Sequence, residues 1–536
     1  MVANERLCRS QGRVIFVALF AAYLLLILGP ILLADRYCND DLIRVLHGNY
    51  GWNNNGRLLT NFVMRVLQLG SSRLIDIFPL PQLIAIAVLA WIGVLIAQRY
   101  RIHSPLAAVV FAFPLGAQPF FLENLSYRFD APCMALALLL AALPLLSIAP
   151  AGRKKWWLGV LALLASLNLY QPAINVFLVF AILEFALNQQ ENAVPMALSR
   201  QLFGRALQAL LACGVYRLFF GTSIKGWIKE HGQTIHGPGQ WRELHVNVAD
   251  FYQLLASAFS SRWLLLFVPL ALLIVVVPTI ASVRYAVAGR FMRSRWHTLL
   301  LFVASLLLPC AWLLCLAGPM LLLARPVLMP RVMLGVGALL CAALIATHAV
   351  LRYRPTIQGW LIGIACIWAL GFAICAAAYG NAAAAQKRYE DRIATRLADD
   401  LAELRSRRQV RNYVINGSAA MAPATAHAAA QFPLLRKLVL PYLRDNDFNT
   451  RNFLMFYLPH TPDLLAGADA SAADVASTLL HACAAPSLTV RSDYNLKLVG
   501  DTAVVNFLRE PGHVCDAASV SGSPPVTHVQ PPQQIH

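Results

Sequence analysis

Apolar residues in this chain gather into long unbroken runs, not the alternating spacing of a half-buried strand or the three-in-seven spacing of a surface helix. Runs near the length needed to cross a bilayer, about 20 residues each, fall near 14–33, 77–97, 105–122, 132–150, 156–171, 173–188, 204–222, 263–283, 298–318, 332–350 and 358–378. They predict a polytopic α-helical membrane protein with about eleven transmembrane helices. No small-residue cleavage site follows Leu33, so the first run is expected to be retained and not removed as a signal peptide. Composition agrees: the 536 residues are 58% hydrophobic and 13% charged, with mean hydropathy +0.59, too apolar for one soluble core.

The net charge of +18 divides unevenly. Residues up to Gly380 carry 29 Lys and Arg against 12 Asp and Glu, and the remainder 15 against 14. The basic residues of the first part form short clusters between alternate runs: Arg99 and Arg101, Arg153 to Lys155, Arg200 and Arg205, Arg284 to Arg295, and Arg352 with Arg354. That is the pattern that sets membrane orientation, and it excludes nucleic acid as a partner. It places the N-terminus in the cytoplasm and the C-terminus outside. Every cytoplasmic loop is then too short to hold a nucleotide-binding domain, so the chemistry is expected on the outer face, in segments 34–76, 123–131, 223–262, 318–331 and 380–536.

In the first segment, residues 35 to 47 lack Pro and Gly and predict a short helix, with Arg36, Asp40 and Arg44 on one face and Asp41 beside them. Carboxylates next to guanidiniums suit a reaction that needs a base and an anion clamp; a solvated helix whose charges merely pair would show the same spacing. The block from Glu123 to Asp130, which includes Tyr127 and Arg128, sits between two apolar runs. There it either lines a cavity or caps the following helix. Tyr170-Gln171-Pro172 reads as a turn at the same face. Residues 225–250 carry Trp227, Trp241, His231, His236 and His245 and read as a mobile substrate loop, with Gly237-Pro238-Gly239 arguing against a metal site. Arg325 and Arg331, in a Pro-punctuated stretch, suit a lipid phosphate or an interfacial anchor.

After the last run, Gln386 to Arg405 predicts a charged amphipathic helix. Val410 to Ile415 and Leu496 to Leu508 read as strands, with helices at Leu434 to Leu443 and Ala472 to His481. The expected organisation is a membrane domain over 1–379, whose loop 34–76 carries the paired aspartates, a small extracytoplasmic α/β domain over 380–516, and a disordered Pro- and Gln-rich tail over 517–536. Nine of the cysteines are scattered through the first 380 residues without ligand spacing; Cys483 and Cys515 lie in the polar region, where a disulfide could form outside the cytoplasm.

Several of these blocks together resemble a known family. Tyr37, Asp40-Asp41, Arg44, Gly48, Gly51-Trp52 and Gly56-Arg57, then Asp76 and Pro79-Leu80, are similar to the first outer loop of the bacterial type II glucosyltransferases that modify O-antigen and related surface glycans. Glu123 to Asp130, Tyr170-Gln171, Arg331-Val332-Met333 and Tyr379-Gly380-Asn381 to Gln386 continue the likeness in order. Leu42 and Leu58 depart from it, standing where an aromatic residue and a proline are common.

The resemblance implies a GT-C-type glycosyltransferase of the bacterial inner membrane. Such an enzyme passes one hexose, expected to be glucose, from a polyprenyl-phosphate sugar to a hydroxyl of a glycan or lipid-linked oligosaccharide on the periplasmic side. In such enzymes a first-loop carboxylate is the base of an inverting transfer, which points to Asp40 or Asp41, the other orienting. Arg57, Arg128, and Arg325 or Arg331 would hold the donor phosphate. Arg44, Trp52, Glu123, Tyr127, Asp130, Tyr170 and Gln171 would contact substrate, with Trp52 either stacking on a sugar or anchoring at the interface. No cofactor is expected, and help from a divalent ion is left open. Partners would be membrane lipids and the synthase and flippase that make and deliver the donor. A glycan polymerase or ligase using a lipid-linked oligosaccharide, and a glycolipid transporter, are the alternatives; few mid-membrane charges argue against the transporter.

Overall fold

The computed structural model describes residues 2–148, 152–190, 195–237, 241–287, 295–444, 448–458, 465–466 and 472–507. The chain divides into two units. The first comprises Met1–Leu33, Tyr50–Tyr379 and Gln431–Leu438; the second comprises Ala34–Asn49, Gly380–Ala430 and Val439–His536. The tail over 517–536, and with it Cys515, lies outside the described residues.

The first unit is built of helices. Among the described residues, five helices of the chain are long and apolar enough to cross a membrane: Ser10–Ala34, Leu80–Arg99, Gln171–Gln190, Met196–Phe219 and Pro355–Arg407. Other apolar runs are shorter or broken. The run beginning at 105 splits into Pro105–Ala112 and Pro114–Ala117, and the run near 298–318 into Arg295–Leu306 and Leu308–Ala317. Pro114 and Pro309 stand at the breaks, and neither can donate a backbone N–H. Helix length therefore supports a multi-helical apolar protein without fixing eleven spans.

The helices pack closely where side chains are small. Gly337 lets its helix approach Pro114 and Leu115 so nearly that a Cβ there would lie 2.6 Å from the Pro114 carbonyl. Within the same unit, the buried hydroxyl of Tyr23 reaches the Phe113 carbonyl at 3.1 Å. Small residues at helix contacts of this kind replace the hydrophobic driving force that lipid does not supply.

The second unit contains a five-stranded sheet: β1 (Asn412–Asn416), β2 (Leu465–Ala466), β3 (Ser487–Val490), β4 (Tyr494–Val499) and β5 (Thr502–Phe507), in the order β2-β1-β5-β4-β3. β1 pairs in parallel with β2 and β5, and β4 is antiparallel to β3 and β5. The period of two sorts the strand residues. Tyr413, Ile415, Ala503, Val505 and Phe507 join a core with Ile393, Leu397 and Leu401, while Val414 and Val504 meet Leu479 and Ala482 of helix Ala472–Ala484.

Three expectations need correction. The strand expected over 496–508 is two strands, because Gly500 takes a left-handed backbone (φ 62°) and turns the chain back. The charged helix expected from Gln386 is continuous with the last apolar run in one helix, Pro355–Arg407 of 53 residues. The four alanines at 382–385 favour helix, and nothing there stops it. Residues 225–250, expected as a loop, carry two helices among the described residues, Gly226–His231 and one that begins at Trp241 and runs to Ala256.

Candidate active site

The buried polar residues of the first unit begin with a tight loop. Gly51 and Gly56, both with left-handed backbones, bracket one 3-10 turn, Trp52–Asn55. Gly56 is needed twice over: its φ is 70°, and a Cβ would come within 2.5 Å of the Tyr216 hydroxyl. Tyr216 donates to the Gly56 carbonyl and accepts from Gln171 Nε2 at 2.7 Å, and the same Gln171 nitrogen donates to Asn55 O at 2.9 Å. Arg57, at the exit of this turn, is fixed by Gln171 Oε1, which accepts from Arg57 Nε at 3.1 Å.

Asp130 precedes helix Ala131–Leu146 at the N-cap position, yet its side chain makes no capping bond. It accepts from the indole N–H of Trp52 at 2.8 Å and pairs with Arg57 at 3.6 Å. Capping, one of the two readings of this block, therefore does not describe the Asp130 carboxylate, which bonds away from its own helix. Trp52 is fully buried, so the structure corrects both expectations for it: its ring is neither an exposed stacking platform nor an interfacial anchor.

From Arg57 the contacts continue. Its guanidinium lies 4.7 Å over the Tyr170 ring, and the Tyr170 hydroxyl donates to the Arg331 carbonyl at 3.0 Å. Arg331 Nη1 donates to Glu123 and to the Tyr127 hydroxyl, each at 2.6 Å, and Asn124 donates to the Arg331 carbonyl at 3.2 Å. Trp52, Asp130, Arg57, Gln171, Tyr170, Arg331, Glu123 and Tyr127, far apart in sequence, thus form one connected set.

Exposure within the pairs is asymmetric. Arg57 and Arg331 are 17% and 18% exposed and their partners Asp130 and Glu123 5% each, so carboxylates stand behind the two more accessible guanidiniums. The pair of Arg128 and Asp76, at 2.8 Å, is reversed: Arg128 is 6% exposed and lies over Phe78, while Asp76 is 22% exposed. Arg325 is exposed, and its carbonyl lies 2.7 Å from His231 Nδ1. Among the described residues no three His, Cys, Asp or Glu side chains gather as metal ligands.

Reasoning from sequence gave no role to Asp76, Tyr216, Gln82, whose amide donates to the Tyr127 carbonyl, or Tyr379, hydrogen-bonded to Ser126. Asp76 and Tyr379 stood in the blocks that carried the family resemblance. Tyr216 and Gln82 lie within apolar runs and offered no signal.

The paired aspartates lie in the second unit. Asp41 opens the helix Asp41–His47 and Asp40 stands at its N-cap; the helix is shorter than expected because Asp35 and Asn39 take positive φ values and keep the preceding residues out of it. Leu42 anchors it in the core beside the sheet. Asp41 is buried at the first turn and accepts from the Cys38 amide at 3.2 Å, where the helix N-terminus favours a negative charge. Asp40 is half exposed and pairs with Arg44 at 3.7 Å. Arg36 does not share that face. It pairs with Glu390 at 3.0 Å, donates to the Leu440 carbonyl and covers the Tyr442 ring. Burial pushes the Glu390 carboxyl up, against the pull of Arg36 and of two backbone amides.

Arginine and carboxylate pairs buried among apolar helices define a helical protein of membrane type with a polar site. The chain matches the family Glucosyl transferase GtrII over residues 29–342, more than half its length, and it belongs to that family. The family places it among the glycosyltransferases. It is also 26% identical over 453 residues to a Salmonella phage P22 protein described as "Uncharacterized 55.3 kDa protein in gtrB 5'region", covering 82% of this chain and 89% of that relative. No solved structure matches.

Proposed function

We propose that this glucosyltransferase moves one glucose from a polyprenyl-phosphate donor to a hydroxyl of a surface glycan such as O-antigen, on the outer face of the bacterial cytoplasmic membrane, with inversion. In this reading about eleven helices span the bilayer with the N-terminus inside, and residues 380–516 form a periplasmic α/β domain. The observation that carries it is the connected set in the first unit. Arg57 and Arg331, backed by Asp130 and Glu123 and joined through Tyr170, offer two oriented cations to a phosphate. Their charge would stabilise the negative charge growing on the departing polyprenyl phosphate. Arg331, not the exposed Arg325, takes the role open between them, and Arg128 acts through Asp76.

In this reading the base is Asp40. The half-exposed Asp40 carboxylate takes the proton of the acceptor hydroxyl as that oxygen bonds to the anomeric carbon and the sugar–phosphate bond breaks. Asp41, buried and engaged by the Cys38 amide, orients the turn. The test is reconstitution with polyprenyl-phosphoglucose and a glycan acceptor, read by mass as a gain of one hexose per repeat. The double variant Asp40→Asn, Asp41→Asn should insert normally and transfer nothing. Undiminished transfer by it would refute the assignment.

A further inference from the structure

A cleft of about 120 Å³ opens in the second unit, with room for several waters. Its walls are aromatic. The rings of Tyr37 and Phe456 stack at 5.9 Å, Tyr442 packs on Phe453 at 4.8 Å, and Tyr457 meets Phe453 edge-on at 5.1 Å. Its polar groups are Arg36, Lys387 and Asp391, and Asp391 accepts from the Tyr457 hydroxyl at 2.7 Å. We propose that this cleft binds a sugar of the acceptor glycan beside the Asp40–Asp41 pair.

Three observations converge. First, flat rings with hydrogen-bonding groups among them suit a hexose, which packs C–H faces on aromatic carbon while its hydroxyls find charged partners. Second, the charge there does not suit a phosphate. Arg36 is bound to Glu390 and Lys387 to Asp35, and with Asp391 the carboxylates number three against two cations. A neutral glycan fits this balance better than a polyprenyl phosphate. Third, two lining residues, Tyr37 and Leu42, lie on either side of Asp40 and Asp41 in the chain, and Leu42 belongs to the aspartates' own helix. A sugar in the cleft would be held by the same short segment that carries the proposed base. The proposal rests on the glucosyl-transfer reading and adds to it where the acceptor is recognised.

The test uses the full-length protein in nanodiscs with polyprenyl-phosphoglucose as donor and an O-antigen oligosaccharide as acceptor. Phe456→Ala should raise the acceptor KM about 3- to 10-fold, the worth of one aromatic contact, and leave the donor KM and kcat near wild type. Phe456→Tyr should restore the acceptor KM. Asp391→Asn should also raise it, and decides the matter alone should Phe456→Ala fail to fold. Wild-type acceptor KM in the folded variants would show the cleft to be packing only and overturn the proposal. If the wild-type protein itself transfers glucose to no glycan, the proposed function fails first and the cleft proposal with it.

Discussion

Arg331 and Glu123, 208 positions apart in the chain, meet at 2.6 Å, and the backbone amide of Arg331 donates to the same carboxylate at 2.8 Å. One carboxylate thus fixes both the head and the main chain of the arginine. Glu123→Gln should leave the arginine poorly aimed and lower transfer by about 100-fold, in line with the loss of one oriented donor. Arg331→Lys keeps the charge but loses the planar fork, and should fall nearly as far. Both effects should appear with donor varied. A wild-type rate for Arg331→Lys would mean that charge alone suffices.

The two aspartates should separate. Asp40→Asn is expected to reduce kcat by about 100- to 10,000-fold with little change in thermal stability. Asp41→Asn weakens the bond to the Cys38 amide and the favourable helix-terminal charge, and should lower stability by about 0.5–2 kcal/mol, measured by thermal unfolding in detergent. Loss of rate on Asp41→Asn alone, without loss of stability, would exchange their roles.

Trp52→Phe keeps a buried ring but removes the N–H that Asp130 accepts. Truncation of a hydrogen bond to a buried carboxylate costs about 1.5–3 kcal/mol, so the melting temperature should fall measurably. An unchanged melting temperature in Trp52→Phe would mean that this hydrogen bond does not hold Asp130 in place.

Asp400 accepts from Arg491 at 2.6 Å and from the Tyr494 hydroxyl at 2.6 Å, and the bonds from Arg491 chiefly hold its carboxyl below the usual range. Because its pKa is depressed in the folded protein, the unfolded chain binds the proton more readily, and stability rises with pH through this window. The contribution is present above the unfolded value of about 3.9 and is lost as pH falls through the lower folded value. Arg491 is half exposed, so solvent screening keeps the contribution small. Denaturation curves between pH 3 and 6 should show wild type losing stability at the acid end and Asp400→Asn showing a flatter profile.

Much of the helical architecture was legible because an apolar run has few ways to satisfy its backbone except as helix. The π-helical turn Tyr23–Leu28 was not, since one extra residue per turn leaves no mark on an unbroken apolar run, and the long helix Pro355–Arg407 was not, since composition changes near Gly380 while the helix continues. For the site, the residue types were readable but their partners were not. Nothing in the spacing of Arg128 and Asp76, or of Arg331 and Glu123, says that they meet. Arg36 leaves the face its spacing predicts because positive φ at Asp35 and Asn39 depends on tertiary context: Lys387 holds Asp35, and Tyr442 bonds to the Tyr37 carbonyl. The β4–β5 hairpin reads as one strand in the sequence because a single glycine, Gly500, carries the turn.

The segment Ala34–Asn49 belongs with Gly380–Ala430 and Val439–His536, though more than three hundred residues separate it from them in the chain. Anyone exchanging C-terminal portions among relatives would therefore need two grafts, not one. A hybrid joined only near Gly380 would pair a foreign aromatic cleft with the host's aspartate loop, mismatching Arg36 with Glu390 and Leu42 with its core. Moving Ala34–Asn49 together with the C-terminal portion would keep those partners matched.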